Sequence, residues 1–295
     1  MTAGDALPAI ESALYVVGTP IGNLRDISLR ALDVLARVDV IAAEDTRVTG
    51  VLLAHHHITT RMLSLHEHNE RTRAREVVAL IAAGGSVALV SDAGTPAVSD
   101  PGARVVDAVA AAGHAVIPIP GASAVIAALS ASGIAAAEWM FCGFLPTKAG
   151  LRRRALERLA SYGCALVFYE APHRVAATVT ALAAALGDDR TLVIARELTK
   201  RFESIHRVRL SEATQWLAAD PDRLRGEFVL IVDSPGAPSA GQTAGAETGM
   251  FDSTLTALLS ELPLAQAVRI AVSITGAPRN TLYGRALALR ADRDR

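Results

Sequence analysis

The chain has 295 residues, of which 51% are hydrophobic and 20% charged, so it can bury a real core and has the length for two modest domains. Its 29 Lys and Arg are balanced by 30 Asp and Glu, a net charge of -1 that excludes a uniformly basic nucleic-acid binder but leaves room for local patches. No basic, apolar leader opens the sequence, and its most apolar stretches, such as AVIAALSASGIAAA, are broken by Ser or Gly before spanning length; the expectation is a cytoplasmic protein with no membrane segment.

In chain order, LYVVGTP reads as a short strand ending at Gly and Pro. DISLRALDVLARV follows with helical spacing of Ile27, Leu29, Leu32, Leu35 and Val38, and Asp26 is placed to cap it. DVIAAED then reads as strand, TRVTGVLLAHHH as helix, VALVSDAG as strand, ARVVDAVAAAG as helix, AVIPIP as strand and ASAVIAALSASG as helix. This alternation predicts an α/β domain with a largely parallel sheet over residues 1–128. A second α/β domain is expected over 129–233, with strands CALVFYEAP, TLVIARELT and GEFVLIVD, the helix RVAATVTALAAAL and a polar segment around ESIHRVRL. SPGAPSAGQTAGAETG carries too little large apolar content to form a core and reads as a flexible linker over 234–250. Residues 251–295 predict a small helical module, with Pro263 starting one helix and Gly276–Pro278 turning into the last.

In open parallel sheets, ligands collect at the carboxyl ends of strands, so the loops there carry the candidate chemistry. Four stand out: GTPIGN (18–23), AEDTR (43–47), SDAGTPAVSDPG (91–102) and PGAS (120–123). In the third, Asp100-Pro101 resembles a helix N-cap followed by a first-turn proline, whereas Asp92 has no such structural duty and is free to meet a ligand. No GxGxxG follows the first strand and no GxxxxGK[ST] occurs, which removes the main support for dinucleotide and P-loop readings. Cys142 and Cys164 sit in apolar runs as isolated small thiols, HHH (55–57) reads as a solvated helix C-terminus favoured by the helix dipole, and HEHNE (66–70) lacks a third ligand spaced to match, so no metal is expected. Two basic clusters, one at Lys148, Arg152, Arg153, Arg154 and Arg158 and one along the C-terminal stretch, are either solvated helix faces or patches for an anionic partner.

With these loops in view, LYVVGTPIGNLRDISLRALDVL, AAEDTR, HEHNE, VSDAGTPAVSDPG, IPGASAVIAALSASG, FCGFLP, FYEAPHR and ARELTKRFE together resemble the tetrapyrrole methylase superfamily. Within it they are similar to the branch that 2'-O-methylates cytidine 1402 of 16S rRNA. The resemblance implies two α/β domains of the tetrapyrrole methylase type, S-adenosylmethionine bound in the cleft between them, a small C-terminal helical module, a homodimer, and 16S rRNA or the 30S subunit as partner. It places Asp92, Ala93, Gly94, Thr95, Ser123 and Ala124 at the cofactor, with Tyr169 and Glu170 at its methionine end and Glu197 and Leu198 as further contributors. The AGTP of this chain departs from the GDP-type sequence of the tetrapyrrole enzymes. On the substrate side the expectation is Glu44, Asp45 and Arg47, with Asp45 as the reacting carboxylate or as a cap of the next helix, and Arg47 as a phosphate contact; His173 and Arg174 are further RNA candidates. The competing readings are a methylase of a small tetrapyrrole and an RNA-binding factor that keeps the fold without catalysis.

Overall fold

A computed structural model describes residues 9–235 and 251–293. The first sheet holds β1 (Leu14–Val17), β2 (Val40–Ala43), β3 (Met62–Ser64), β4 (Val87–Val90) and β5 (Val116–Ile119) in the order β3-β2-β4-β1-β5, parallel at every pairing. Its crossovers are α1 (Leu29–Arg37), α2 (Thr46–His55), α3 (Glu70–Ala82) and α4 (Ala103–Ala111). The two-residue period of a strand divides the core. Tyr15, Val17, Ile41 and Ala43 point to the face covered by Val34 and Leu35 of α1 and Leu53 of α2. Leu14, Ala42 and Leu89 point to the face covered by Val77 and Ile81 of α3 and Val105 and Val109 of α4. Burial on both faces is why these strands are continuous apolar runs rather than alternating ones.

The cap expected of Asp26 belongs to Ser28, whose hydroxyl accepts from the Ala31 N–H at 3.1 Å. Asp26 lies two residues too early, inside a short 3-10 turn that Asn23 caps.

The second sheet holds β6 (Trp139–Phe144), β7 (Ala165–Glu170), β8 (Thr191–Arg196), β9 (Ser204–Arg209) and β10 (Phe228–Val232) in the order β6-β7-β10-β8-β9. Only β6 and β7 run parallel; the other pairings are antiparallel. The polar ESIHRVRL segment contains β9, an edge strand in which more and less exposed residues alternate. One face of this sheet is covered by α6 (Ala149–Leu159), α7 (Val175–Leu186) and α8 (Leu210–Ala218), which enclose the fully buried Phe168. The other face is covered by α5 (Ala124–Ser132), whose Val125 and Ala128 pack on Val167, Val193, Val229 and Ile231. Thus α5 leaves the last strand of the first sheet and lies on the second, and its N-terminus falls where the two halves meet.

The helices α9 (Asp252–Glu261), α10 (Leu264–Thr275) and α11 (Arg279–Arg293) share a separate core of Leu255, Val268, Ala271, Leu282 and Ala286. Pro263 is the N-cap of α10, and Gly276 ends it in the left-handed conformation at φ +68°. Apart from Ser234 and Pro235, the expected linker lies outside the described residues. Among the described residues, no helix is long and apolar enough to cross a membrane.

Candidate active site

The order β3-β2-β4-β1-β5 reverses the direction of winding beside β1 and β4, and the loops that follow these strands meet there. The Thr19 N–H donates to the Gly94 carbonyl at 2.8 Å and the Gly94 N–H returns to Thr19 at 3.1 Å, a two-residue bridge between the loops after β1 and β4. Gly94 holds φ +80°, a conformation that side chains rarely adopt. Gly18 and Gly121 bring the loops after β1 and β5 so close that a Cβ on either would lie within 2.8 Å of the other's backbone.

These loops form one wall of a cleft of about 350 Å³, and β7, β10 and the loop after β8 form the other. Of the residues expected at the cofactor, Ala93, Gly94, Thr95, Ser123, Ala124, Tyr169 and Glu170 line this cleft, as does Leu198. Ser123 caps α5, accepting from the Ile126 N–H at 3.5 Å, so the free N–H end of that helix opens beside the cavity. Tyr169 stands between Phe141 and Phe144, at ring centroid distances of 4.8 and 5.6 Å, and burial pushes its phenol above the usual value. Glu170 makes the wall rigid: its fully buried carboxylate accepts from Thr178 Oγ1 at 2.6 Å and from the Ala171 N–H at 2.9 Å, with Arg174 Nε at 3.2 Å. Arg174 also donates to the Leu145 carbonyl and is only slightly exposed.

Asp92 is on the other side of the loop. It lines a second concavity of about 360 Å³ with Pro20, Leu24, Val48 and Leu52. Its Oδ1 accepts from the Asp45 N–H at 3.0 Å while its own N–H donates to Glu44 Oε2 at 3.3 Å, so the ends of β2 and β4 are tied reciprocally. Burial raises the Glu44 carboxyl, helped by the charges of Asp92 and Asp45. Asp45 does the opposite. It caps α2 through the Arg47 N–H at 2.8 Å and pairs with Arg47 Nη2 at 2.5 Å, and these hydrogen bonds hold its carboxyl down at about 2. A carboxylate so engaged is a weak proton acceptor, whereas the Arg47 side chain is 88% exposed and open to a further anion.

The expected N-cap at Asp100 is not formed. The residue before α4 is Gly102, at φ +130°, where a Cβ would meet Leu89 Cδ2 at 2.8 Å, and the cap is supplied from α3 by Glu70. Asp100 instead lines the cleft. Burial first, then the charges of Glu44 and Asp92, push its carboxyl up to about 6 against the opposing hydrogen bond from Ser91. Its neighbours Ala97 and Ser99 hold φ +67° and +66°, strained for non-glycine residues. Position in the sequence did carry one signal: a cap must directly precede its helix, and Gly102 already occupies that place. Lys200, unmentioned among the sequence candidates, closes the far side of the cleft through Glu197 Oε1 at 2.9 Å and Glu227 Oε2 at 2.7 Å.

Residues 13–214 match the family model described as Tetrapyrrole (Corrin/Porphyrin) Methylases, and residues 246–290 match that of the RsmI C-terminal HTH domain. A protein of Vibrio cholerae named Ribosomal RNA small subunit methyltransferase I is 46% identical over 96% of this chain and 97% of its own. One of the same name from Xylella fastidiosa is 48% identical over 92% and 97%. The chain belongs to the ribosomal RNA small subunit methyltransferase I family. The wider fold of this methyltransferase family is shared by solved structures of the methyltransferase CobJ, with TM-score 0.57, 20% identity and coverage of 78% of this chain and 97% of that one. It is shared also by uroporphyrin-III C-methyl transferase of Thermus thermophilus in complex with S-adenyl homocysteine, with TM-score 0.52, 18% identity and coverage of 75% and 97%. The expected fold of two α/β halves with a cleft between them and a C-terminal helical region is therefore the observed one.

The cleft fits S-adenosylmethionine on its own chemistry. Its volume is that of a small-molecule site, its walls are apolar at Ile21, Tyr169 and Leu198, and small residues at Ala93, Gly94 and Ala124 leave the backbone accessible. The N-terminus of α5 favours a carboxylate. Among the described residues, no three His, Cys, Asp or Glu side chains are grouped so that they could hold a metal.

Proposed function

We propose that this protein transfers a methyl group from S-adenosylmethionine to the ribose 2'-oxygen of cytidine 1402 in 16S rRNA, acting in the cytoplasm as a homodimer on the small ribosomal subunit or its RNA. The observation that carries the reading is the cleft between the two sheets, opened by the N-terminus of α5, in a chain whose near full-length relatives bear the name of a ribosomal RNA methyltransferase.

When bound, the cofactor supplies an electrophilic methyl group on a sulfonium. Ser123 and Ala124 would hold its carboxylate by the free N–H groups at the start of α5. Ala93, Gly94 and Thr95 bring backbone close to the ligand, a close approach that the bridge to Thr19 keeps fixed. Tyr169, Phe144 and Leu198 exclude water and thereby strengthen every polar contact inside. Glu170 acts through the wall, fixing the strand end that carries Tyr169. Alignment of the two reacting atoms accounts for the largest share of the acceleration in such a displacement, up to about 7–11 kcal/mol.

Glu44, Asp45, Arg47 and Asp92 are assigned to the RNA side, Asp92 through the second concavity it lines and the exposed Arg47 as the phosphate contact. The exposed Arg153, Arg154 and Arg158 of α6 extend the same role over the surface. His173 and Arg174 divide: His173 remains an RNA candidate, and the mostly buried Arg174 is spent on Glu170 and Leu145.

Tritium transfer from labelled S-adenosylmethionine to 30S subunits, free 16S rRNA and a tetrapyrrole, followed by mapping of the labelled nucleotide, tests the reading. The expected product is RNA labelled on the ribose at cytidine 1402. Label on a base, on a tetrapyrrole alone, or on nothing would overturn it.

A further inference from the structure

We infer that Asp100 is the general base of the methyl transfer, accepting the proton of the ribose 2'-hydroxyl as the oxygen attacks. The inference rests on the RNA 2'-O-methyltransferase reading above and adds the catalytic group that reading lacks.

The position of Asp100 sets it apart from the other carboxylates. It lines the cleft in company with Ser123 and Tyr169; it feels the charges of Glu44 and Asp92, and its own charge is felt by the Tyr169 phenol across the cavity. Among the carboxylates of the loops after β2 and β4, only Asp100 lines the cleft: Asp92 lines the second concavity, and Asp45 is committed to α2 and Arg47. The segment that carries Asp100 is held in place on both sides. Before it, Ala97 and Ser99 are in left-handed conformations, and after it Glu70 fixes the Gly102 and Arg104 N–H groups at 2.9 and 3.0 Å. Such strain persists only where surrounding structure imposes it, and it is a frequent mark of reacting sites.

The groups around Asp100 set its proton affinity. Burial first, then Glu44 from the loop after β2 and Asp92 from the loop after β4, raise its pKa, the Ser91 hydroxyl opposes them, and Tyr169 of β7 stands nearby as a neutral phenol. Lys200, the cation of the same cleft, is held by Glu197 and Glu227. A carboxyl poised near 6 is ionised at neutral pH yet more basic than an ordinary aspartate, as a proton acceptor should be.

The step balances. The O2'–H bond breaks toward an Asp100 carboxylate oxygen; the oxygen pair forms the new O–C bond; the C–S bond of the donor breaks with its pair left on sulfur, so the sulfonium becomes a neutral thioether. Protonated Asp100 then loses its proton to water.

The test compares wild type with Asp100→Asn and Asp100→Glu, measuring S-adenosylmethionine affinity by calorimetry, thermal unfolding, and single-turnover methylation of 30S subunits and free 16S rRNA between pH 5 and 9. The inference expects Asp100→Asn to fold, to bind the cofactor within about threefold of wild type, and to lose on the order of 10²- to 10⁴-fold in single-turnover rate. It also expects the acid limb of the wild-type profile, near pH 6, to vanish in Asp100→Asn and to return in part in Asp100→Glu. An Asp100→Asn rate within threefold of wild type overturns it. So does a loss that follows cofactor affinity alone, which makes Asp100 a binding residue, or a wild-type profile flat through pH 6. If wild type itself methylates no RNA, the function reading fails and this inference with it; an active wild type with an active Asp100→Asn removes only the inference.

Discussion

Glu70 caps a helix whose N-cap residue lies 32 residues away: its Oε1 accepts from the Gly102 N–H at 2.9 Å and from the Arg104 N–H at 3.0 Å. Gly102, at φ +130° and with Leu89 against the place of a Cβ, cannot carry a capping side chain, so the open end of α4 depends on a carboxylate brought from α3. That tie also secures the end of the loop that bears Asp100. Replacing Glu70 with Ala leaves two amides without their partner and is expected to cost about 2–3 kcal/mol in denaturant unfolding. Glu70→Gln, which keeps an acceptor, is expected to lose about half of that. An alanine variant within 0.5 kcal/mol of wild type would show that α4 does not need this cap.

Asp100 gives a pH-dependent stability whose sign is fixed by the direction of its shift. Its folded-state carboxyl is raised to about 6, so the folded form prefers the proton, and the associated stability is fully present below the unfolded value near 4 and is lost as pH rises through about 6. Asp100→Asn, neutral at all pH, should therefore be more stable than wild type at pH 7.5, on the order of 1–2 kcal/mol after allowance for solvent screening. The difference should disappear below about pH 4. Thermal unfolding from pH 3.5 to 8 measures it, and a variant less stable than wild type at pH 7.5 would contradict the burial of an uncompensated charge.

The contrast between Glu70 and Asp100 marks where sequence reasoning stops. β1, β2 and β4 of the first sheet were legible because they are apolar runs buried on both faces, and the site loops followed from the rule that ligands gather at strand ends, whereas the three half-buried residues of β3 and the polar start of α3 gave no such run and were not read. The cap of α4 was not, because its donor of charge is 32 residues distant and no local pattern encodes it. A motif likewise names a loop without giving the direction of each side chain: within SDAGTP, Ala93, Gly94 and Thr95 face the cleft while Asp92 turns to Glu44 and Asp45. The edge strand β9 was hidden for a different reason, since half its residues are solvated and its composition reads as loop.

The contact between Gly18 and Gly121 sets the shape of the cleft, because the loop after β5 leads directly into Ser123 and α5. Gly121→Ala would place a Cβ 2.7 Å from the Gly18 carbonyl carbon and oxygen, backbone atoms that have no rotamer with which to yield. The expected result is a loss of about 1–3 kcal/mol of stability and, because Ser123 must shift with it, weaker S-adenosylmethionine binding in the folded protein. Glycine at 163, where nothing lies within 4 Å of a Cβ, provides the control: Gly163→Ala should leave cofactor affinity unchanged. Equal affinities for the Gly121 and Gly163 variants would separate the glycine contact from the site.

Glu170 distinguishes a cofactor contact from a buried anchor. Its carboxylate has no exposed surface and is shared among Thr178 Oγ1, the Ala171 N–H and Arg174, so its oxygens are already engaged by the protein. Glu170→Gln keeps the shape but removes the charge that balances the poorly exposed Arg174, which leaves a buried cation with fewer partners; a loss of about 3 kcal/mol is expected. Thr178→Val removes a single hydrogen bond and should cost about 1–2 kcal/mol. Because both variants act through the same wall, their effects should be less than additive when combined. Calorimetric titration of the folded Glu170→Gln protein should then find S-adenosylmethionine affinity within about fivefold of wild type, a difference of about 1 kcal/mol. A drop of a hundredfold or more with little change in unfolding free energy would instead mean that the carboxylate leaves Thr178 and Arg174 to meet the ligand directly.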